Sequence, residues 1–224
     1  YAVLPKEALV RIGKHIPFEH AALFGCGVVT GVGAVINTAS AREEDSIAIV
    51  GLGGVGLSAL IASIAIGSKK TSAIDLSNEK LNLAHELGAD HILNPNDANF
   101  LERVRDLTSG GANIAIETAG SGRALKTAYD ITRRGGTTVA AGMPGPKVDI
   151  TLSHLSIAAE ERIIKGSYMG SCIAHRDIPK YLDMFQTGKL PVDRLLSRKI
   201  TFEDLNAAMD RLDDAKTVRE VLIP

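Results

Sequence analysis

Cysteine is scarce in this sequence, whose 224 residues include only Cys26 and Cys172. The two lie far apart, with no CxxC pair and no regular spacing, which argues against a disulfide framework and favours a reducing compartment, by default the cytoplasm. An excess of one charge is also missing. The formal net charge of -1 gives no reason to expect a nucleic acid or an anionic membrane surface as a partner.

Long apolar runs are missing too. The longest, VGLSALIASIAIG, stops at Gly67 before the charged SKK, and no basic segment with a cleavage site opens the chain. We therefore expect no membrane partner. The first residue is Tyr1 rather than Met, so we also expect the chain to begin partway through a longer product.

Short β-branched runs alternate with helical stretches from residue 46 onward. Strands are predicted at 46–50, 71–75, 91–94, 113–118, 137–142 and 162–169. Helices are predicted over about 54–67, 78–88, 97–108 and 121–133, the last of them ending at Gly135 and Gly136. This alternation is typical of a parallel sheet, so we predict an α/β fold, a Rossmann-type doubly wound parallel sheet with flanking helices on both faces.

The two ends of the chain follow other patterns. Pro17 can open a helix near the start, residues 176–188 and 201–212 have amphipathic helical patterns, and residues 217–224 indicate a terminal strand. Residues 189–200 are interpreted as the connection between the two helices. We divide the chain into a leading segment (1–25), a central α/β domain (26–170), and C-terminal helices with a strand (171–224).

A glycine-rich loop follows the first predicted strand of the alternating region. Its G-x-G-x-x-G glycines open the next predicted helix, where the first permits a tight turn, the second lets the backbone approach a pyrophosphate and the third lets helix and strand pack closely. The helix N-terminus adds free N–H groups and a partial positive charge. The predicted cofactor-binding residues of this loop are Gly51, Gly53, Gly54, Val55 and Gly56.

An acid closes the next predicted strand, about 20 residues further on, where such motifs bind a ribose hydroxyl. Asp75 occupies that position, and because its carboxylate would repel a 2′-phosphate, it favours NAD over NADP. Lys80 could bond the same ribose or could be a solvated helix residue. The alternative reading of the loop and Asp75 is small-residue packing with a strand-end cap.

Several motifs recur in a fixed order along most of the chain, from about residue 15 to the C-terminus. They are GCGVVTGVGAVINTA, GLGGVG, ELGADHILN, IETAG, GMPG and KGSYMGS. In this order they resemble the zinc-containing alcohol dehydrogenases of the medium-chain dehydrogenase/reductase superfamily. Within that family, residues 166 onward resemble the branch of aryl- and other primary-alcohol dehydrogenases and of glutathione- or mycothiol-linked formaldehyde dehydrogenases. The resemblance implies NAD-dependent oxidation of a primary alcohol to the aldehyde by zinc-assisted hydride transfer.

The resemblance also implies roles for single residues. It makes Cys26 a ligand of the catalytic Zn²⁺, although a cysteine between glycines is by itself more often a small buried residue. It places Thr30 against the nicotinamide ring and implies that Arg219 reaches a cofactor phosphate. Without the resemblance, Arg219 is interpreted as a surface charge on the last strand. The other implied contacts to the cofactor come from Thr118, Ala119, Ala141, Gly142, Met143, Ser167 and Met169.

The remaining histidines and cysteine carry weaker signals. The histidines lack ligand-like spacing and are interpreted as surface or partly buried residues: His15, His20, His85, His91, His154 and His175. Cys172 follows the segment placed near the nicotinamide, so it could face the pocket, although a small buried thiol is the simpler interpretation.

The resemblance leaves one part of the family pattern without a counterpart. Family members carry a catalytic domain ahead of this region, which holds the other zinc ligands and a proton relay. A zinc site needs about four ligands, and no second Cys/His set accompanies Cys26 in this sequence. We expect this chain alone to bind NAD weakly at most and not to oxidise alcohols. Family members commonly form homodimers or homotetramers through this domain.

Three other functions remain open on the sequence. One is a zinc-free quinone or enone reductase of the same superfamily, against which the GCG motif weighs. Another is a non-catalytic NAD(H)-binding module, and the third is a structural dimerisation domain, with which the predicted edge strand at 162–169 is compatible.

Overall fold

The strands of the main sheet lie close to their predicted positions in a computed structural model, which describes residues 3–212 and 217–223. They are β1 (Ser46–Val50), β2 (Lys70–Ile74), β3 (His91–Leu93), β4 (Ala112–Glu117), β5 (Thr132–Ala140) and β6 (Ile163–Gly166). Two residues with a predicted role, Tyr1 at the start and Pro224 at the end of the predicted terminal strand, lie outside the described residues.

All neighbouring strands of this sheet pair in parallel, in the order β3-β2-β1-β4-β5-β6. This is the strand order of the dinucleotide-binding Rossmann fold, in which the ligand crosses the carboxyl ends of the strands where the order reverses. Here that point lies between β1 and β4. The predicted fold class is confirmed.

Helices cover both faces of the sheet. They are α1 (Phe18–Ala21), α2 (Gly27–Gly33), α3 (Gly54–Ala65), α4 (Asn78–Glu86), α5 (Phe100–Thr108), α6 (Gly122–Ile131), α7 (His154–Ala159), α8 (Ala174–Gln186) and α9 (Leu205–Arg211). Successive strand residues point to opposite faces. Accordingly, Ile47 and Ile49 of β1 pack in one hydrophobic cluster with α2, α3, α4 and α8, whereas Ala48 and Val50 pack in another with α5 and α6.

Helix α2 was not predicted from the sequence. Its residues, GVVTGVG, are glycines and β-branched side chains, which are poor helix formers, but every one of them is buried. A Cβ on Gly31 would overlap the Val55 carbonyl oxygen and lie 2.7 Å from the Ala59 nitrogen, so α2 crosses the start of α3 at backbone contact. A π-helical turn, Ala34–Thr38, continues α2.

Two element ends near β5 and β6 differ from the prediction. Helix α6 ends at Ile131, and β5 begins at once with Thr132 instead of residue 137. The Thr132 hydroxyl donates to the Ala128 carbonyl at 2.7 Å, which ties the new strand to the helix before it, so the predicted helix end at Gly135 and Gly136 is wrong. Strand β6 ends at Gly166 rather than 169, because the following segment turns away with positive φ angles.

The C-terminal region contains a second, small sheet. Strand β7 (Leu196–Ile200) pairs in parallel with β8 (Arg219–Leu222), so part of the predicted connection 189–200 is a strand. Both predicted helices are present, and α8 packs Tyr181 and Leu182 on the cluster that includes α2 and α3. Helix α1 begins directly after Pro17, as predicted.

No single helix in the described residues combines the length and hydropathy needed to cross a bilayer. The bent pair Phe18–Gly25 and Gly27–Thr38, at 57° to each other, has that length and hydropathy only jointly.

Candidate cofactor-binding site

The glycine loop joins β1 to α3 at the point where the strand order reverses. Gly51 has a φ of 94°, and a Cβ on it would lie 2.8 Å from both the nitrogen and the Cβ of Ala119. A Cβ on Gly56 would overlap the Gly51 carbonyl oxygen and lie 2.7 Å from Thr118 Oγ1. The first and third glycines of the motif are therefore required by the fold itself.

The second glycine differs from these two. A Cβ on Gly53 would meet no atom within 4 Å, so the fold does not require glycine there and the loop backbone faces open space. Gly53 also precedes α3 as its N-cap, where a side chain to bond the first N–H groups of the helix is lacking. The first N–H groups of a helix and the helix dipole together form an anion site. Val55 lies half-buried in this first turn.

Asp75 follows β2 and is bonded to the glycine loop. Its Oδ2 accepts a hydrogen bond from the Leu52 N–H at 2.7 Å, and its Oδ1 accepts one from the Ser77 N–H at 2.9 Å. A carboxylate has about four acceptor sites, so the half-buried group can still bond hydroxyls. Asp75, Lys80 and Ala119 line one cleft of about 250 Å³.

Arg219 reaches the same loop from β8. A Cβ on Gly54 would lie 2.6 Å from Arg219 Nε, and a Cβ on Gly27 would lie 3.0 Å from its Cζ, so the guanidinium rests against the first turns of α3 and α2. A cation beside the positive end of a helix is favourable when an anion lies between them. The arrangement therefore suits a phosphate.

The ends of β4 and β5 form the other side of the loop. The Thr118 hydroxyl donates to the Gly51 carbonyl at 2.7 Å, so it holds the glycine loop, while Ala119 faces the cleft. The N–H groups of Ala141 and Gly142 donate to the Glu117 carbonyl at 2.8 and 3.0 Å. Met143 follows them with 77% of its surface exposed.

Glu117 is a site residue that the sequence analysis missed. Only 2% of its surface is exposed, and its Oε1 accepts a hydrogen bond from the Gly120 N–H at 2.6 Å. Burial raises the pKa of this carboxyl above its usual value. Its signal in the sequence is an acid that ends an apolar strand, NIAIE, where a charge is unusual.

Met169 and Ser167 contact α2 and its π-helical continuation. The Thr30 hydroxyl donates to the Cys26 carbonyl at 2.9 Å, and its oxygen lies 3.8 Å from the Met169 sulfur. The Ser167 hydroxyl bonds the Thr38 hydroxyl at 2.7 Å. The structure thus brings Met169 to Thr30 and Ser167 to the π-helical continuation of α2, although both lie more than 120 residues further along the chain.

Cys26 is exposed and immediately precedes α2. Across residues 3–212 and 217–223, no group of three or more His, Cys, Asp or Glu side chains is arranged to hold a metal ion. An exposed thiol fits the donor chemistry of Zn²⁺, so Cys26 is one candidate donor. A zinc site usually has four ligands. Cys172 is half-buried, and burial raises the pKa of its thiol.

Comparisons with known proteins identify relatives of this chain. A family model described as "Zinc-binding dehydrogenase" matches residues 54–187. Geraniol dehydrogenase of Castellaniella defragrans is 32% identical over 224 residues, which is 100% of this chain and 60% of that protein. Alcohol dehydrogenase B of Mycobacterium tuberculosis is 34% identical over 227 residues, 99% of this chain and 60% of that protein.

The same similarity is found among solved structures. The crystal structure of benzyl alcohol dehydrogenase from Acinetobacter calcoaceticus matches with a TM-score of 0.91 and 30% identity, covering 95% of this chain and 59% of that one. The chain thus spans about 60% of the length of the curated relatives it matches.

Proposed function

Because the chain belongs to the zinc-binding dehydrogenase family, we propose that it is the cofactor-binding part of an NAD-dependent dehydrogenase that oxidises a primary alcohol to the aldehyde. One observation carries the proposal: the carboxylate of Asp75 is bonded to the glycine loop through the Leu52 N–H at 2.7 Å. A ribose-binding acid and a phosphate-binding loop are thereby held as one unit. Relatives named for geraniol and benzyl alcohol support the substrate class.

The adenosine half of NAD would lie in the cleft beside Asp75 and Lys80. The carboxylate would accept hydrogen bonds from the ribose hydroxyls and repel a 2′-phosphate, which would select NAD over NADP. The pyrophosphate would lie in front of Gly53, where the N–H groups of the first turn of α3 and the Arg219 guanidinium converge.

The nicotinamide half would lie near Thr30. In this position the backbone at Ala141, Gly142 and Met143, together with Ser167 and Met169, would bond the carboxamide. When bound, NAD accepts a hydride from the alcohol carbon. The contribution of this chain is orientation, since the buried α2 and the ends of β4 and β5 would hold the ring in one geometry.

Zn²⁺, when bound, acts as a Lewis acid that lowers the pKa of the alcohol. We assign one of its ligands to the exposed Cys26, and the other donors would come from outside the described residues. In the longest natural chain that contains these 224 residues, Cys26→Ala should lower zinc content and activity together, whereas Cys172→Ala should keep both. If Cys26→Ala kept both its zinc content and its activity, the assignment of Cys26 as a zinc ligand would be contradicted. A parent protein that holds no zinc and reduces enones would favour the alternative function, the zinc-free reductase.

Calorimetric titration of the 224-residue chain tests the cofactor proposal directly. We expect weak but measurable binding of NAD and ADP-ribose and weaker binding of NADP. With zinc and a panel of primary alcohols, the chain should form no NADH. Absence of both NAD and ADP-ribose binding would overturn the cofactor proposal, and robust turnover would show that no further domain is needed.

The free edge of the main sheet suggests how copies assemble. Among the described residues, strand β6 pairs on one side only, with β5, and its Ile163 and Ile164 are 46% and 41% exposed. An exposed apolar edge strand is a surface for pairing with a second strand, so we propose a homodimer or homotetramer that uses this edge. Light scattering on the parent chain and on Ile164→Lys tests it, because the substitution should shift the oligomer toward the monomer.

A further inference from the structure

The turn after β6 has an unusual backbone. Three consecutive residues, Met169, Gly170 and Ser171, have φ angles of 48°, 66° and 49°. Two of them are not glycine, and left-handed backbone is costly for residues with a side chain, so it persists only where the surroundings hold it. Because Met169 is one of the residues predicted to face the nicotinamide, what holds this turn matters for the site.

Asn37 and Thr38 hold the turn from the π-helical end of α2. Thr38 Oγ1 lies 2.7 Å from Ser167 Oγ and 2.9 Å from Ser171 Oγ, and each pair shares a hydrogen bond. Asn37 Nδ2 donates to the Gly170 carbonyl at 3.2 Å. Two adjacent side chains therefore bond the start, the middle and the end of the segment 167–171.

The position of Asn37 is itself fixed by α8. Its Nδ2 lies 3.2 Å from Asp177 Oδ2 and 3.0 Å from the Tyr181 hydroxyl, and both of these residues are buried. The Asp177 carboxylate also accepts hydrogen bonds from the Ile173 N–H and the Arg176 guanidinium. A buried network with its partners paired specifies one arrangement of its members.

The turn also presses on the helix that carries Thr30. A Cβ on Gly170 would lie 2.7 Å from the Gly33 Cα and 2.9 Å from the Thr30 carbonyl oxygen. The Met169 sulfur lies 3.8 Å from Thr30 Oγ1. A displacement of the turn would therefore change the position of Met169 relative to Thr30.

We propose that Asn37 and Thr38 are positioning residues, which fix the segment 167–171 and through it the nicotinamide half of bound NAD. They do not act on the adenosine half, which the cleft at Asp75 holds. The inference rests on the proposed function, because it requires that NAD binds at this site.

Thr38→Val gives the sharpest test, since valine keeps the branched shape and removes the hydroxyl. ADP-ribose serves as the second ligand because it has the adenosine and both phosphates of NAD but no nicotinamide. By calorimetry of the 224-residue chain, we expect Thr38→Val to weaken the affinity for NAD about five- to tenfold, as loss of a hydrogen bond would. The affinity for ADP-ribose should be unchanged. Asn37→Ala should act in the same direction, and more strongly.

Matched controls come from exposed positions on other parts of the chain. Thr187→Val at the end of α8 and Asn206→Ala on α9 make the same chemical changes outside the network, and both should leave the ratio of NAD to ADP-ribose affinity unchanged. If Asn37→Ala does not fold, as judged by circular dichroism, Thr38→Val still decides the question.

The outcomes separate the two proposals. A parent chain that binds both ligands, with an unchanged affinity ratio in Thr38→Val, overturns the positioning role alone. Equal losses for NAD and ADP-ribose also overturn it, because they indicate a general structural role. A parent chain that binds neither ligand overturns the proposed function and this inference with it.

Discussion

Asp75 and Leu52 are joined by a hydrogen bond of 2.7 Å from the Leu52 N–H to the Asp75 Oδ2. The other oxygen of the carboxylate bonds the Ser77 N–H at 2.9 Å, just before α4. A single side chain therefore connects the end of β2, the glycine loop and the start of the next helix. The same negative charge faces the cleft in which the adenosine ribose is proposed to bind.

Substitution of Asp75 separates its charge from its bonding role. Asp75→Asn keeps an oxygen for the Leu52 N–H and removes the charge, whereas Asp75→Ala removes both. We expect both variants to lose about tenfold or more of the preference for NAD over NADP. The lost charge no longer bonds the ribose hydroxyls of NAD or repels the 2′-phosphate of NADP, and hydrogen bonds to charged groups are stronger than those between neutral groups. Calorimetric affinities for NAD and NADP give the ratio.

A matched control for this substitution lies on α8. Asp183→Asn and Asp183→Ala change an exposed acid far from the loop in sequence and should leave the ratio as it is in the parent chain. An unchanged ratio in both Asp75 variants would contradict the role of the carboxylate.

The main sheet could be predicted because its signals are local. Parallel strands buried on both faces are near-continuous apolar runs, and SIAIV and NIAIE are of this kind. Helix α2 could not be predicted, since its glycines and valines form a helix only because α3 buries them. Strand β7, LSRKI, has exposed polar residues and depends on pairing with β8, which is more than ten residues away in sequence.

The glycines of the loop give a second prediction. Gly53→Ala adds a methyl group to open space and should keep the stability of the chain. It should weaken the affinity for NAD, because the pyrophosphate is proposed to lie there. Gly56→Ala would overlap the Gly51 carbonyl oxygen and should destabilise the fold by about 1–3 kcal/mol, as overpacking does. The two variants act as each other's control.

Thermal unfolding and calorimetry measure both effects. Full NAD affinity in Gly53→Ala would show that no ligand approaches the backbone at this point. A stable Gly56→Ala would show instead that α3 can shift away from β1.

Arg219 gives a third prediction, on electrostatic grounds. Arg219→Ala removes the guanidinium beside the first turn of α3. It should weaken the affinities for NAD and for ADP-ribose equally, by about tenfold, which corresponds to the loss of one charge-assisted hydrogen bond. The remaining affinity should depend less on salt, because one ionic contact is lost. Adenosine, which has no phosphate, should bind as before.

Titrations at two salt concentrations test this prediction, with Arg134→Ala as the control. Arg134 lies exposed in β5, so its loss should change neither affinity nor salt dependence. An equal loss of adenosine affinity in Arg219→Ala would place the effect outside the phosphate site.

The candidate site was predictable in its sequence motifs and less so in its side-chain directions. The motif IETAG pointed to Thr118 and Ala119, yet the Thr118 hydroxyl bonds the Gly51 carbonyl, and the buried Glu117 fixes the loop before α6. Which of these side chains turns inward depends on the register of β4 with β1 and β5. That register is set by tertiary packing rather than by the local sequence.

Glu117 makes the stability of the fold depend on pH in a particular direction. Burial raises its pKa in the folded chain above the usual 4.5, so in the range above 4.5 the folded chain holds a proton that the unfolded chain has released. Its contribution to stability is therefore complete below that value and is lost as the pH rises through the raised pKa.

Glu117→Gln should remove this loss, because the amide stays neutral and its oxygen can still accept from the Gly120 N–H. The free energy of unfolding of the variant, relative to the parent chain, should be constant below pH 4.5 and should increase as the pH rises toward about 7. Urea unfolding across this range measures it, and Glu102→Gln on the exposed face of α5 should show no such trend. A difference between Glu117→Gln and the parent that does not change with pH would mean that folding leaves the pKa of Glu117 unchanged, and it would contradict this prediction.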